Sequence, residues 1–130
     1  MKRVCALVTL VSALLLTVFI GTAVAASPPQ LKIPKTATLL SSGDVEILIT
    51  YRCAGPGTAL LATSVRQGDA YGNLTVDAVP CTGKQETYVF RMPTCFECPA
   101  FTVGPAIADS EVVTGTDVMN GSRKIQIVTT

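Results

Sequence analysis

Histidine is missing from all 130 residues, and so is tryptophan. Without an imidazole, neither a Ser-His-Asp triad nor a Cys-His pair can form, and no metal can be held through histidine. The usual general base is gone, which removes most routes to hydrolytic and acid–base catalysis. Long runs of one charge are lacking too. No Lys/Arg cluster follows the N-terminus, so the chain carries neither a nucleic-acid footprint nor a polybasic membrane patch. Carboxylates stand singly, at Asp44, Glu46, Asp69, Asp77, Glu86, Glu97, Asp109, Glu111 and Asp117. None is paired at glycosidase or EF-hand spacing, which leaves them the role of solvated surface charges. After residue 26 there is no helical stripe, internal repeat or low-complexity tract.

What the chain does have begins with Met1-Lys2-Arg3, an apolar run from Val4 to Ile20, and then Gly21-Thr22-Ala23-Val24-Ala25-Ala26-Ser27. A basic start, an apolar centre and small residues at the end predict a secretory signal helix over residues 1–26, cleaved before Ala26 or Ser27. An uncleaved anchor is the competing reading, because the run approaches the ~20 residues that span a bilayer. The small-residue cleavage pattern favours the signal. Cys5 precedes the apolar run and would leave with it. Subtracting 26 residues from 130 leaves 104, enough for one domain, residues 27–130, and too few for two. Loss of Lys2 and Arg3 leaves 8 basic against 9 acidic residues, a net charge of −1. The expectation is a secreted, extracellular protein with no stable membrane association after cleavage.

Four cysteines remain: Cys53, Cys81, Cys95 and Cys98. An even number in a small exported domain implies disulfides, with three possible pairings. Cys53–Cys81 with Cys95–Cys98 is the favoured set; its long bridge closes a loop whose entropy matters to a small core, and its short one contributes less. The Cys95-Phe96-Glu97-Cys98 spacing is also that of dithiol oxidoreductases, in which a helix N-terminus lowers the first thiol's pKa. Here Pro93 and Pro99 flank the motif and no helix pattern follows, so a small structural loop is the better reading. Zinc would need a second such pair, which is missing. No catalytic, cofactor-binding or metal-ligating residue is expected, and no cofactor.

The fold is legible in places. Ser42-Gly43-Asp44 is a turn, and Val45, Ile47, Ile49, Tyr51 and Cys53 then alternate with Glu46, Leu48, Thr50 and Arg52, which predicts a strand with one buried face. Residues 58–67 form the next strand, central or slightly bulged, its face not chosen by the pattern. Residues 68–73 should turn the chain, and Leu74, Val76 and Ala78 should alternate towards Pro80-Cys81. After the turn at residues 81–84, Tyr88, Phe90 and Met92 share a face. Gly104-Pro105 should break residues 99–114 into a bent or two-part strand. Asn120-Gly121 is a strong hairpin signal, pairing residues 113–118 with 123–129, Asp117 facing Lys124, and Ile125 and Ile127 inward. Asn73-Leu74-Thr75 and Asn120-Gly121-Ser122 match the N-glycosylation acceptor pattern. About seven short strands give an all-β, immunoglobulin-like sandwich, with a partly open barrel as the alternative.

Ile47-Leu48-Ile49-Thr50-Tyr51-Arg52-Cys53, Val65-Arg66-Gln67-Gly68 and Cys81-Thr82-Gly83-Lys84 resemble a pattern in small exported actinobacterial proteins with immunoglobulin-like sandwiches. That likeness implies a fold and a location outside the cell, and no activity. The Cys95–Cys98 loop departs from it. A more distant likeness is to the apoproteins of enediyne chromoproteins, exported sandwiches of similar size with two disulfides. Three functions follow. The first is a non-enzymatic structural or recognition module with an unknown protein or small-molecule partner. The second is a small-ligand carrier whose apolar cleft would be lined by Tyr88, Phe90 and Phe101. The third is a protease inhibitor presenting residues 92–99 as a rigid loop.

Overall fold

The computed structural model describes residues 28–130, so the expected signal segment and its cleavage site lie outside the described residues. Those residues form eight strands and no helix: β1 Gln30–Lys32, β2 Thr36–Leu39, β3 Val45–Arg52, β4 Gly57–Gln67, β5 Ala70–Cys81, β6 Glu86–Met92, β7 Gly104–Val113 and β8 Val118–Thr129. They join into one mixed sheet in the order β1-β3-β2-β8-β7-β4-β5, with β6 also on β3. Every pairing is antiparallel except β2 with β8. The sheet curls so that both of its ends face one core. β2 is the hinge line, because it pairs with β3 through Thr38 and Leu39 and with β8 along its whole length.

The strand register puts loops at two poles. One pole gathers residues 40–44, 68–69 and 93–103, together with the end of β8. The other gathers residues 28 and 29, 54–56, 82–85 and 114–117.

Alternation in β3 holds as expected: Val45, Ile47, Ile49, Tyr51 and Cys53 are all buried. They face Phe90 and Met92 of the paired β6, and small residues opposite, Ala106 and Ala108 on β7, leave room for those bulky side chains. Tyr51 closes one end of this face by donating its hydroxyl to the Pro80 carbonyl at 3.1 Å. On β4 the buried positions are Ala59, Leu61, Thr63 and Val65. β4 is central, between β5 and β7, and the β4–β5 register shifts between Ala59 and Leu61. Thr63 hides the pattern because its hydroxyl is buried at 2.9 Å from that of Ser110, which itself donates to the Ala62 carbonyl at 2.9 Å. Buried hydroxyls are tolerated where each finds a partner.

Three local expectations are corrected. The turn after β4 is only Gly68-Asp69, with Gln67 paired to Ala70 and Gly68 at φ 57°, the conformation a two-residue II′ turn asks of its first residue. β5 therefore starts at Ala70. The shift opposite Leu60 places both Asp77 and Ala78 against a single β4 position, which exchanges the strand's faces. Leu74 and Ala78 are exposed, Val76 is half-buried, and Val79 and Cys81 carry the buried face instead.

Second, Gly104-Pro105 does not divide a strand; it begins one. Gln126, opposite Pro105, gives its N–H to the Lys35 carbonyl at 2.9 Å and so bonds away from β7. The proline nitrogen therefore faces β4, whose pairing with β7 stops at Arg66 and Ile107, and no ladder bond is lost.

Third, Asn120-Gly121 is not a hairpin turn. β8 runs straight through it, pairing Asn120 with Glu111 and Gly121 with Ser110. Neither residue has a positive φ. The turn lies at residues 114–117, closed by Thr114 N–H to the Asp117 carbonyl at 2.9 Å and by Asp117 N–H to the Thr114 hydroxyl at 3.0 Å. Lys124 consequently pairs with Ile107, not Asp117, while Ile125 and Ile127 point inward as expected. β1 and β2, split around Pro34, are strands that composition did not disclose.

Candidate functional site

The segment between β6 and β7 is the longest connection, and it is built to hold its shape. Met92 is buried at the end of β6, and Pro93 ends the strand. The backbone then crosses over the start of β5. Cys95 donates its N–H to the Tyr71 carbonyl at 2.7 Å. The crossing is so close that a Cβ on Gly72 would lie 2.6 Å from the Pro93 carbonyl oxygen, so only glycine fits at that position.

Cys98 N–H then returns to the Cys95 carbonyl at 3.0 Å, closing a tight turn that the Cys95–Cys98 bridge spans with 5.1 Å between Cα atoms. Glu97 takes the left-handed conformation, φ 69°, at the third position of that turn, where type II geometry favours glycine. Phe96 stands at the tip with 95% of its surface exposed. Further along, Phe101 enters the core and rests against Gly72. Gln67 grips the next residue with both ends of its amide: its Oε1 accepts the Thr102 N–H at 2.8 Å, and its Nε2 donates to the Thr102 carbonyl at 2.8 Å. The same Nε2 reaches the Pro105 carbonyl at 3.3 Å. A fully exposed aromatic thus sits on a loop fixed at both ends and cross-linked in the middle.

All four expected cysteines pair as favoured. Cys53 and Cys81, buried, join the end of β3 to the end of β5 at the pole opposite this loop, with 4.9 Å between Cα atoms. Cys95 is exposed and Cys98 partly so. Two bridges of this kind are compatible with an extracellular protein. Among the described residues no three His, Cys, Asp or Glu side chains gather as metal ligands.

The residues expected to line an apolar cleft are differently employed. Phe90 and Phe101 fill the core, and Tyr88 packs on Phe90 with ring centroids 4.7 Å apart. Open depressions lie elsewhere, two of them on the outer face of β5, β4, β7 and β8. Sequence reasoning singled out residues 92–99 but missed the Gln67 clamp and the Gly72 crossing, since neither has a local signature.

No protein-family model matches the chain, and no curated protein is similar to it in sequence.

Proposed function

We propose that this is an exported, non-enzymatic recognition module with an immunoglobulin-like sandwich fold, which engages a protein partner through Phe96. The strand pairing supports the fold. β3 with β6, and β8-β7-β4-β5 in that order, match the B–E and G-F-C-C′ pairings of such domains, with β1 and β2 as a first strand that crosses from B to G. The bridge departs from antibody-type domains, since it joins the ends of B and C′ rather than B and F.

The observation that carries the function is Phe96, 95% exposed on a stapled loop. A solvated aromatic is costly to keep in water, and a rigid loop loses little entropy on binding. Aromatic anchors of this kind dominate the energetics of protein interfaces. Among the alternatives, an inhibitor bound like a substrate needs an extended backbone on both sides of its anchor, and here Phe96 occupies a turn. Glu97 beside the bridge, and the lack of a following helix, favour a structural over a catalytic disulfide.

The test isolates whatever binds the exported protein in its own culture fluid, purifies that partner, and compares wild type with Phe96→Ala. Because Phe96 touches solvent only, the variant should melt with wild type and bind about 30-fold or more weakly. Equal binding by Phe96→Ala would refute the reading. Mass analysis of the extracellular protein should place its first residue at Ala26 or Ser27.

A further inference from the structure

The outer face of β5-β4-β7-β8 is open to solvent, and its charges are segregated. Three cross-strand rows matter. Nearest the stapled loop, Tyr71, Arg66, Ile107 and Lys124 stand side by side, with Lys35 exposed beside Gln126 just beyond. The middle row is Asn73, Ser64, Asp109 and Ser122. The third is Thr75, Ala62, Glu111 and Asn120. Cations therefore occupy one half of the face and carboxylates the middle and other half. Two shallow depressions mark the halves, one bordered by Lys35, Arg66 and Lys124, the other by Asp109 and Glu111.

We infer that this face is a self-association surface whose occupant is a second copy of the chain, related by a two-fold axis lying across the strands at the middle row. A partner of uniform charge would match only half of the face. The two-fold turns the face end for end and so matches both halves with the same surface. On β7 it sets Glu111 of one copy opposite Ile107 of the other, and Val113 opposite Pro105. Ile107 is flanked on the adjacent strands by Arg66 and Lys124, about 4.8 Å away on each side. Glu111 thus enters between two cations of the second copy, and the same contact recurs at the symmetric position.

Asp109 lies near the axis and meets its own image. Arg66 of the same chain stands 3.6 Å from that carboxylate, so the two meet as ion pairs rather than as free charges. Apolar contact comes from Val118, 59% exposed, beside Val113 on the adjoining strand.

Sedimentation of the exported protein over a range of concentration and salt tests the inference. Wild type should form a dimer that weakens at least about tenfold between 50 and 500 mM salt, since exposed charge pairs are screened. Glu111→Lys and Lys124→Glu should each weaken it at least about tenfold, because each change acts at both symmetric contacts. The double reversal Glu111→Lys/Lys124→Glu should dimerise more tightly than Glu111→Lys alone, because the carboxylate brought to position 124 attracts the cation brought to position 111 while Arg66 still repels it. Phe96→Ala should leave the dimer unchanged, which separates this surface from the loop. A wild type that stays monomeric to about 1 mM, a dimer indifferent to salt, or a double reversal no tighter than Glu111→Lys alone would each overturn the inference. Salt dependence of wild type decides the matter even if a reversal variant fails to fold.

Discussion

Removing the bridge between Cys53 and Cys81 should separate the two disulfides by their energetic weight. The cleanest perturbation is Cys53→Ala/Cys81→Ala, which avoids burying hydroxyls where the sulfurs now sit, 1% and 5% exposed. The bridge spans 28 positions, and the loop-closure relation assigns that constraint about 3.6 kcal/mol. A domain of this size has roughly 5–15 kcal/mol of stability in total, so between a quarter and most of it would go. At about 4–8 °C per kcal/mol the melting temperature should fall by roughly 15–30 °C.

The other bridge spans only 3 positions and is worth about 1.6 kcal/mol by the same relation. Cys95→Ser/Cys98→Ser should therefore lower the melting temperature by no more than about 13 °C. Urea unfolding followed by circular dichroism gives both numbers, and the slope m should rise when the long bridge is lost, because the freed denatured chain exposes more surface. If the Cys53/Cys81 variant melted within a few degrees of wild type, or if the two double variants ranked in reverse, the reasoning would fail.

The Thr63–Ser110 pair should behave non-additively. Ser110→Ala strands a buried Thr63 donor and should cost about 1–3 kcal/mol, whereas Thr63→Val/Ser110→Ala should recover most of it; equal losses in both would contradict the donor order inferred from the distances. Glu97→Gly should raise stability by roughly 0.5–1 kcal/mol in denaturant unfolding, since glycine removes the left-handed penalty at φ 69°. Burial, with Glu86 nearby, raises the Tyr51 pKa above its ordinary 10.0, so the folded protein holds that proton longer than the unfolded chain. Stability should therefore fall as pH climbs above 10, and Tyr51→Phe should flatten that part of the profile; a parallel decline in both proteins would refute the assignment.

The sequence disclosed the fold wherever one face alone decided a residue's chemistry. β3 was legible because water and core select opposite residue types at alternate positions, and the Cys95–Cys98 pair because its three-position spacing fits a single tight turn. β5 was not, since one extra residue opposite Leu60 exchanges its faces, and a bulge is a property of two strands rather than one. Asn120-Gly121 misled for a related reason. Neither residue takes the positive φ that a hairpin turn would ask of it, and both stand in register opposite Glu111 and Ser110 of β7. Only the neighbouring strand reveals that. At the candidate site, the stapled turn could be read from the Cys-x-x-Cys spacing alone. Its anchoring could not, because Gln67 and Gly72 act across 35 and 21 positions of chain, respectively, on Thr102 and Pro93.

The placement of the two poles has a practical side. β4 runs its 11 residues from one pole to the other, a span of roughly 36 Å at strand rise. Residues preceding Pro28 join the fold at the end remote from Phe96, while Thr130 leaves it at the same end as that aromatic. A support or label coupled ahead of Pro28 therefore holds the molecule upright with Phe96 at its far tip, clear of the surface by the length of a strand. The same label coupled after Thr130 would bring the aromatic face-down against whatever carries it. Immobilisation experiments with the two orientations should differ in how much protein they retain, and the molecule's own geometry says which way round to hold it.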